Sequence, residues 1–498
     1  MSHATPDIAP TEPLRRIPTG VRGFEHISLG GLDQGRTTLV VGTSGSGKTL
    51  FATEVLYRTI VEQGRNAVFV TFEERPGDVV RNVHRLGWDL PALLRDGRLV
   101  ILDASMDRAF VEEAGDYDLS GIVSQVGHAV AELGAELVVI DSLGALFYQF
   151  QNPAILRREI ARLCDNLREM RVTSLLTAER LEEYGPISRF GFEEFVSDCC
   201  IVLRHQLVEE KVRRTIQIYK LRGDRHYKDE FPFTIEREGI CILPLAAAEL
   251  TQASSTDRIS FGSPALDEMA GGGLFQDSVI LVSGPTGSGK TLLGTTFASE
   301  ACRRGERVLL LGYEESRPQL ARNALSWGVD FEEWERQGLL RMVCQYPEAQ
   351  GLEGHLYAIQ REVDRFLPRR LVVDSVSALE RAGNVRNFRE FVIGLTSLVK
   401  RREMCSLLTS SSPRLSGGDS ITDAHISTIT DAILLLRYVE RNGALDRGVM
   451  MIKMRGSQHD KRFHEFTIDG SGLHIGEPFP YVPNGLLGVP SAGGDGRE

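Results

Sequence analysis

The chain has 498 residues, 42% hydrophobic and 25% charged, an ordinary balance for a folded globular protein. Lys plus Arg (57) falls short of Asp plus Glu (68), a net charge of −11, so the overall balance does not draw the chain to nucleic acid or anionic lipid, although a local basic groove stays possible. At about 150 residues per domain the length allows two large domains or about three ordinary ones, and no apolar run approaches the roughly 18 residues of a membrane span; a mainly disordered, collagenous or membrane-embedded chain is excluded.

In chain order, the start carries Pro6, Pro10, Pro13 and Pro18 and no apolar core, so it does not read as a signal peptide, and residues 1–17 are expected to be mobile. TTLVVG then runs into GTSGSGKT at 42–49, which meets G-x-x-x-x-G-K-S/T between a strand and the helical stretch TLFATEVLYRTIVEQG. In such a loop the glycines let backbone N–H groups approach phosphate oxygens, and the helix N-terminus adds partial positive charge. Lys48 is expected to reach the β/γ-phosphates of ATP and Thr49 to hold Mg²⁺. The competing reading, a bare Gly-rich turn, loses weight because the motif recurs.

NAVFVTF follows and ends in Glu73–Glu74, whose side chains point different ways; one can act as general base toward the γ-phosphate while its neighbour orients it. Glu73 is the expected base, the alternative being two solvated acids. ELVVID reads as a buried parallel strand ending in Asp141, a Walker B aspartate for Mg²⁺ or, more plainly, a helix cap. KLRG at 220–223 presents Lys220 and Arg222 on an extended strand, either for charge on a nucleotide of a neighbouring subunit or as a solvated basic edge; His226 is balanced between nucleotide contact and a structural role.

After LPLAAAELTQASSTDRIS (243–260) the chain repeats itself. GPTGSGKT at 284–291 renews the loop with Lys290 and Thr291; GYEE supplies Glu314–Glu315, with Glu314 the expected base; LVVDS supplies Asp374; KMRG supplies Lys453 and Arg455, followed by His459. Asp141 to Lys220 and Asp374 to Lys453 are the same 79 residues apart. A period this long is a duplicated domain, and strands alternating with helices make each copy an α/β fold with a mostly parallel sheet. The expected layout is a flexible 1–17, a first domain 18–246, a linker 247–259, a second domain 260–480 and a flexible tail 481–498.

The copies differ at one informative place. Aligned on KxRG, Ser427 and Thr428 fall opposite Glu194 and Phe195, and Asp431 falls opposite Asp198. Adjacent hydroxyls are possible phosphoryl acceptors that only the second copy carries, although Ser–Thr pairs are also common in loops and caps. The seven cysteines (Cys164, Cys199, Cys200, Cys241, Cys302, Cys344 and Cys405) form no C-x-x-C pair and read as reduced, buried thiols of a cytoplasmic protein. No Cys/His metal cluster and no nucleophilic triad can be argued.

Both loops, both Glu–Glu pairs, ERLEEYGPISRFGFEEFVSD at 179–198, SWGVDFEE at 326–333, SITDAHISTITD at 420–431 and KMRGSQHD at 453–460 resemble the KaiC family, tandem P-loop ATPases and autokinases of the circadian clock, from about residue 18 to about 475. The resemblance implies two RecA-like P-loop NTPase domains, each a mostly parallel twisted sheet flanked by helices, assembled as a double-ring homohexamer with ATP at subunit interfaces. It implies slow hydrolysis in the first ring, with autophosphorylation and return of the phosphoryl group to ADP in the second. Ser427 and Thr428 match the phosphoacceptors, Thr422 a third position of the phospho-cycle, and Arg381 an arginine near them. The first nucleotide would meet Gly42, Thr43, Ser44, Gly45, Ser46, Gly47, Lys48, Thr49 and Leu50, with Lys220, Leu221, Arg222 and His226. The second would meet Gly284, Pro285, Thr286, Gly287, Ser288, Gly289, Lys290, Thr291 and Leu292, with Trp327, Arg447, Lys453, Met454 and Arg455. Glu73, Glu74, Glu314 and Glu315 would be catalytic, and Thr49, Asp141, Thr291, Glu314 and Asp374 would serve Mg²⁺.

Asp224 and Arg85 stand where cyanobacterial members carry small hydroxyl residues, and the tail after Gly472, LHIGEPFPYVPNGLLGVPSAGGDGRE, lacks the longer charged segment on which KaiA docks in the family. Autophosphorylation without KaiA is therefore expected, while KaiB docking on the first ring is retained. Two other classes compete. A recombinase or helicase motor would show DNA-stimulated hydrolysis, and a nucleotide-gated scaffold would carry no phosphate on Ser427 or Thr428.

Overall fold

The computed structural model describes residues 15–104, 119–147, 152–189, 191, 193–208, 211–244, 254–411, 426–441, 444–470 and 472–479. Thr422, the centre of the expected linker, and the tail from 480 onward lie outside these residues. The chain divides into two compact units, Met1–Ala248 and Glu249–Glu498.

In the first unit, runs such as Leu137–Asp141 (LVVID) and Thr37–Gly42 (TTLVVG) are buried along their whole length, as central strands covered on both faces must be. They join a nine-stranded sheet in the order Gly239–Ile242, Phe231–Glu236, Lys211–Leu221, Cys199–Val208, Thr37–Gly42, Thr173–Glu179, Leu137–Asp141, Ala67–Thr71 and Leu99–Asp103. The six strands from Cys199–Val208 to Leu99–Asp103 are parallel. The other three extend one edge antiparallel. Alternation along the strands feeds two cores. Val40, Phe69, Val139 and Leu175 meet the helix Lys48–Gln63 through Phe51, Val55, Leu56 and Ile60. Leu39, Val41, Val138 and Ile140 face the helices Ser120–Leu133 and Pro153–Glu169 through Ile122, Val126, Ile160 and Leu163.

The second unit repeats this plan. Its nine strands run Leu340–Cys344, Val308–Gly312, Arg370–Asp374, Cys405–Ser411, Val279–Gly284, Ala432–Arg441, Ala444–Met454, His464–Asp469 and Gly472–Pro478, the first six parallel and the last three antiparallel additions. The helix Lys290–Arg303 packs on it through Leu293, Phe297, Ala298 and Ala301. Each unit is thus a two-faced α/β domain of the RecA-like kind. All seven cysteines are free, and all but Cys344 are buried. Among the described residues no helix is long and apolar enough to cross a membrane.

This order has a consequence for the sites. In both units the strand entering the Gly-rich loop is separated from the strand ending in Asp141 or Asp374 by one strand, Thr173–Glu179 or Cys405–Ser411. All three run in the same direction, so their carboxyl ends, the first turn of the loop helix and the aspartate open onto the same edge.

Glu54, on the helix Lys48–Gln63, is 1% exposed; its Oε2 accepts from the Ile240 amide at 2.7 Å and its Oε1 lies 3.6 Å from Arg58. Burial, opposed by that hydrogen bond and by Arg58, pushes its carboxyl up to about 7 from an ordinary 4.5. Because the folded chain holds this proton more tightly, the group's stabilising contribution is complete below about 4.5 and is lost as pH rises through about 7. Glu54→Gln keeps an oxygen for Ile240 and removes the buried charge. It is expected to raise the Tm of the first unit near pH 8 and to flatten its decline from pH 5, the group's share being on the order of 3 kcal/mol. Parallel pH–stability curves for variant and parent, followed by calorimetry, would contradict this assignment.

Candidate functional site

The loop geometry starts from glycine. Gly42 closes the first strand so tightly that a Cβ there would lie 2.3 Å from Ser46 Oγ and 2.6 Å from Leu203 O. Gly47 caps the helix at φ 101°, in the left-handed region, and its counterpart Gly289 does so at φ 105°. Ser46 and Ser288 are buried behind the loops, whereas Ser44, Gly45, Thr286 and Gly287 are exposed. Lys48 folds back so that Nζ donates to Thr43 O at 2.8 Å; Lys290 Nζ donates to Gly284 O and Pro285 O, each at 2.9 Å. Burial holds the Lys48 ammonium below its ordinary range, against the pull of Glu179, Asp141, Glu73 and Glu183. A cleft of about 270 Å³ brings Gly45, Gly47, Lys48, Thr49, Leu50 and Thr53 opposite Glu74, Val79, Asn82 and Val83.

At the first turn of each loop helix a hydroxyl meets the strand-end aspartate. Thr49 Oγ1 donates to Asp141, 3.2 and 3.0 Å from its two oxygens, and Thr291 Oγ1 donates to Asp374 Oδ2 at 2.7 Å. Asp141 is only 6% exposed, and burial pushes its carboxyl up, partly offset by Thr177 and Thr49. A hydroxyl and a carboxylate converging beside a phosphate loop are hard oxygen donors of the kind Mg²⁺ takes together with phosphate and water, so the residues fit that ion. Among the described residues no group of three or more His, Cys, Asp or Glu could hold a metal by itself.

The paired glutamates lie just beyond their strands rather than on them, since Ala67–Thr71 ends two residues before Glu73 and Val308–Gly312 two before Glu314. Glu73 and Glu314 are exposed and Glu74 and Glu315 half-buried. Glu73 Oε1 accepts from Ser142 Oγ at 2.8 Å. Glu74 is held by Asn82 at 3.0 Å, and Glu315 by Asn323 at 2.9 Å. Burial and then the neighbouring Asp141 or Asp374 raise the Glu74 and Glu315 carboxyls.

The KxRG cations reach the same feature in both units. Lys220 Nζ donates to Glu194 O and Ser197 O (2.6 Å each), and Arg222 donates to Phe195 O (2.9 Å). Lys453 Nζ donates to Ser427 O and Thr430 O (2.7 Å each), and Arg455 donates to Thr428 O (2.7 Å). Within the protomer the two cations therefore grip the turn carrying Glu194–Phe195 or Ser427–Thr428, with Thr428 exposed and Ser427 half-buried. Burial, then Arg455, holds the Lys453 ammonium down; burial, then Arg222, does the same for Lys220.

Other expected residues scatter. Arg447 donates to Gly287 O at 3.3 Å and so joins its own loop, as does Tyr438, whose hydroxyl donates to Thr286 O at 3.2 Å. Met454 is a core residue and Leu221 packs against the first core. Burial keeps the His226 imidazole below its ordinary range. Trp327 is half-buried, and Arg381 pairs with Glu348 at 2.8 Å.

Several residues of these sites escape a motif search. Thr177 and Thr409, both fully buried, donate to Oδ1 of Asp141 and Asp374 from the intervening strand. Glu183 accepts from Thr43 of the first loop, and Asn82 and Asn323 orient their glutamates. The signal was present in the repeat, because SLLT recurs at 174–177 and 406–409 and Arg-Asn at 81–82 and 322–323.

Residues 17–247 and 259–479 both match the family described as "ATPase: KaiC". The chain is 50% identical over 478 residues to "Circadian clock oscillator protein KaiC" of Picosynechococcus sp., covering 96% of this chain and 93% of that one. It is 50% identical over 484 residues to "Circadian clock protein KaiC3" of Synechocystis sp., covering 96% and 95%. It is 49% identical over 477 residues to "Circadian clock oscillator protein KaiC" of Prochlorococcus marinus, covering 96% of each chain.

Thr409→Val keeps shape and removes the donor that fixes Asp374. The second unit is expected to bind ATP about tenfold more weakly, as read by nucleotide titration, with the first unit unchanged. Wild-type affinity would show that Asp374 needs no such support.

Proposed function

The chain belongs to the KaiC family, with two KaiC ATPase units, and from that premise we propose that it is an ATP-hydrolysing clock component whose second unit is an autokinase, the loop of one copy delivering a phosphoryl group to Ser427 and Thr428 of an adjacent copy. The observation that carries the kinase half is a pairing: the same loop, Thr–Asp contact and cation pair occur in both units, but only the second grips a turn bearing adjacent hydroxyls.

In the first unit, backbone N–H groups of residues 42–49 and Lys48 bind the triphosphate while Glu73 takes a proton from the attacking water. The bond between the γ-phosphorus and the bridging oxygen breaks, leaving ADP and phosphate. In the second unit, Lys290 and its loop hold the γ-phosphoryl group, Glu314 takes the proton of the Ser427 or Thr428 hydroxyl, and the new O–P bond forms as ADP leaves. Running the transfer in reverse returns the group to ADP. Thr49 with Asp141, and Thr291 with Asp374 and Glu314, would hold Mg²⁺, whose charge offsets that on the phosphate oxygens.

Lys220, Arg222, Lys453 and Arg455 serve a nucleotide on an adjacent copy in this reading, with a homohexamer as the assembly, a KaiB-like protein as partner of the first unit, and the cytoplasm as its compartment. Family membership favours it over a DNA-dependent motor.

Incubation with Mg-ATP is expected to place phosphate on Ser427 and Thr428, detected by mass spectrometry. Glu314→Gln should slow that transfer by about 100-fold or more while hydrolysis in the first unit continues. No phosphate on either residue would leave a nucleotide-gated scaffold, and equal loss of both activities would contradict the division of labour.

A further inference from the structure

Asp198 and Asp431 occupy the same joint in their units. Each aspartate immediately follows its gripped turn and immediately precedes a strand, Cys199–Val208 or Ala432–Arg441. Its amide donates to the first residue of the loop-bearing strand, Asp198 to Thr37 O at 2.9 Å and Asp431 to Val279 O at 2.8 Å. Its carboxylate accepts in return from the same residue, from Thr37 N at 3.4 Å and Val279 N at 3.0 Å. Its carbonyl accepts from the KxRG arginine's amide, Arg222 at 3.0 Å and Arg455 at 2.8 Å. The same carboxylate pairs with the guanidinium of that arginine, Arg222 at 3.8 Å and Arg455 at 3.5 Å. The remaining charge is shared with Arg36 and Arg168 around Asp198, and with Lys400 around Asp431.

We propose that Asp198 and Asp431 are positioning residues that lock the KxRG arginine, the turn it grips and the loop-bearing strand into one unit, so that in the second domain the acceptor hydroxyls and the nucleotide-facing cation keep a fixed relation. Arg455 is the instructive case. One of its terminal nitrogens holds Thr428 O and the other faces Asp431, so the carboxylate decides where the planar fork points. The inference rests on Ser427 and Thr428 being acceptors only in its activity arm; its geometric arm is independent of that reading.

Asp431→Asn separates charge from shape. Asn keeps size and an oxygen for the Val279 amide but cannot pair with Arg455 and Lys400. Phosphorylation of Ser427 and Thr428 is expected to slow about tenfold with the half-saturating ATP concentration changed less than about twofold, and Asp431→Glu to regain part of the rate. Hydrogen exchange of amides 426–431 is expected to quicken in the Asn variant. A purely structural carboxylate would leave Asn at the wild-type rate, and that outcome overturns the proposal, as does a loss confined to ATP affinity. If the unaltered protein gains no phosphate, the acceptor reading fails on its own, and unchanged exchange at 426–431 still overturns this one. Should Asp431→Asn not fold, Asp198→Asn provides the parallel test, slower hydrolysis in the first unit with phosphorylation in the second within about twofold of the parent; hydrolysis at the parent rate would overturn the proposal there.

Discussion

A strand-end carboxylate meeting a helix-start hydroxyl at the edge of a parallel sheet is the constraint that organises both halves of this chain. Asp141 is stripped of most of its water, which raises the cost of its charge, and it is compensated from two sides, by Thr49 on the loop helix and by Thr177 on the neighbouring strand; half-buried Asp374 meets Thr291 and Thr409 in the same way. That compensation is available only if the three strands run parallel in the observed order. The order in turn brings the Gly-rich loop, its lysine and the glutamate pair to one edge. Strand order and site chemistry are therefore aspects of one arrangement.

On this common scaffold the two units diverge where a small change alters chemistry most. The cation pair and aspartate recur with nearly the same distances, yet one turn ends in a carboxylate and a phenyl ring and the other in two hydroxyls. A scaffold that already holds a turn rigidly needs little more than a new side chain there to gain a nucleophile. The proposed hydrolase and kinase thus differ in what stands at the gripped turn, while the grip is shared.

The duplication, the loops, the strand-end aspartates and the α/β class were readable in the amino-acid sequence because each rests on local spacing. TTLVVG and LVVID announce buried strands, and Gly42, which opens the phosphate loop, cannot be replaced without a clash with Ser46. Pairing between distant segments was not readable. Nothing local tells that Thr177 lies beside Asp141, that Asn82 holds Glu74, or that Lys453 turns back to Ser427, because those contacts depend on strand order and on a bend in the chain. The direction of the KxRG cations shows the limit most plainly. Spacing pointed outward to a neighbouring nucleotide, and within a protomer the same groups hold their own turn's carbonyls. The two are compatible if holding the turn is what aims the cations.

The central claim is that a phosphoryl group held by one copy's second loop reaches the hydroxyls on an adjacent copy. Co-assembly of two inactive chains tests it directly. One carries Lys290→Ala, which cannot hold the triphosphate but keeps Ser427 and Thr428, and the other carries Ser427→Ala with Thr428→Ala, which binds nucleotide but offers no acceptor. Mass spectrometry of the mixture after addition of Mg-ATP should find phosphate on the Lys290→Ala chain only when its partner is present. Phosphate absent from that chain in a verified mixed assembly would contradict the account.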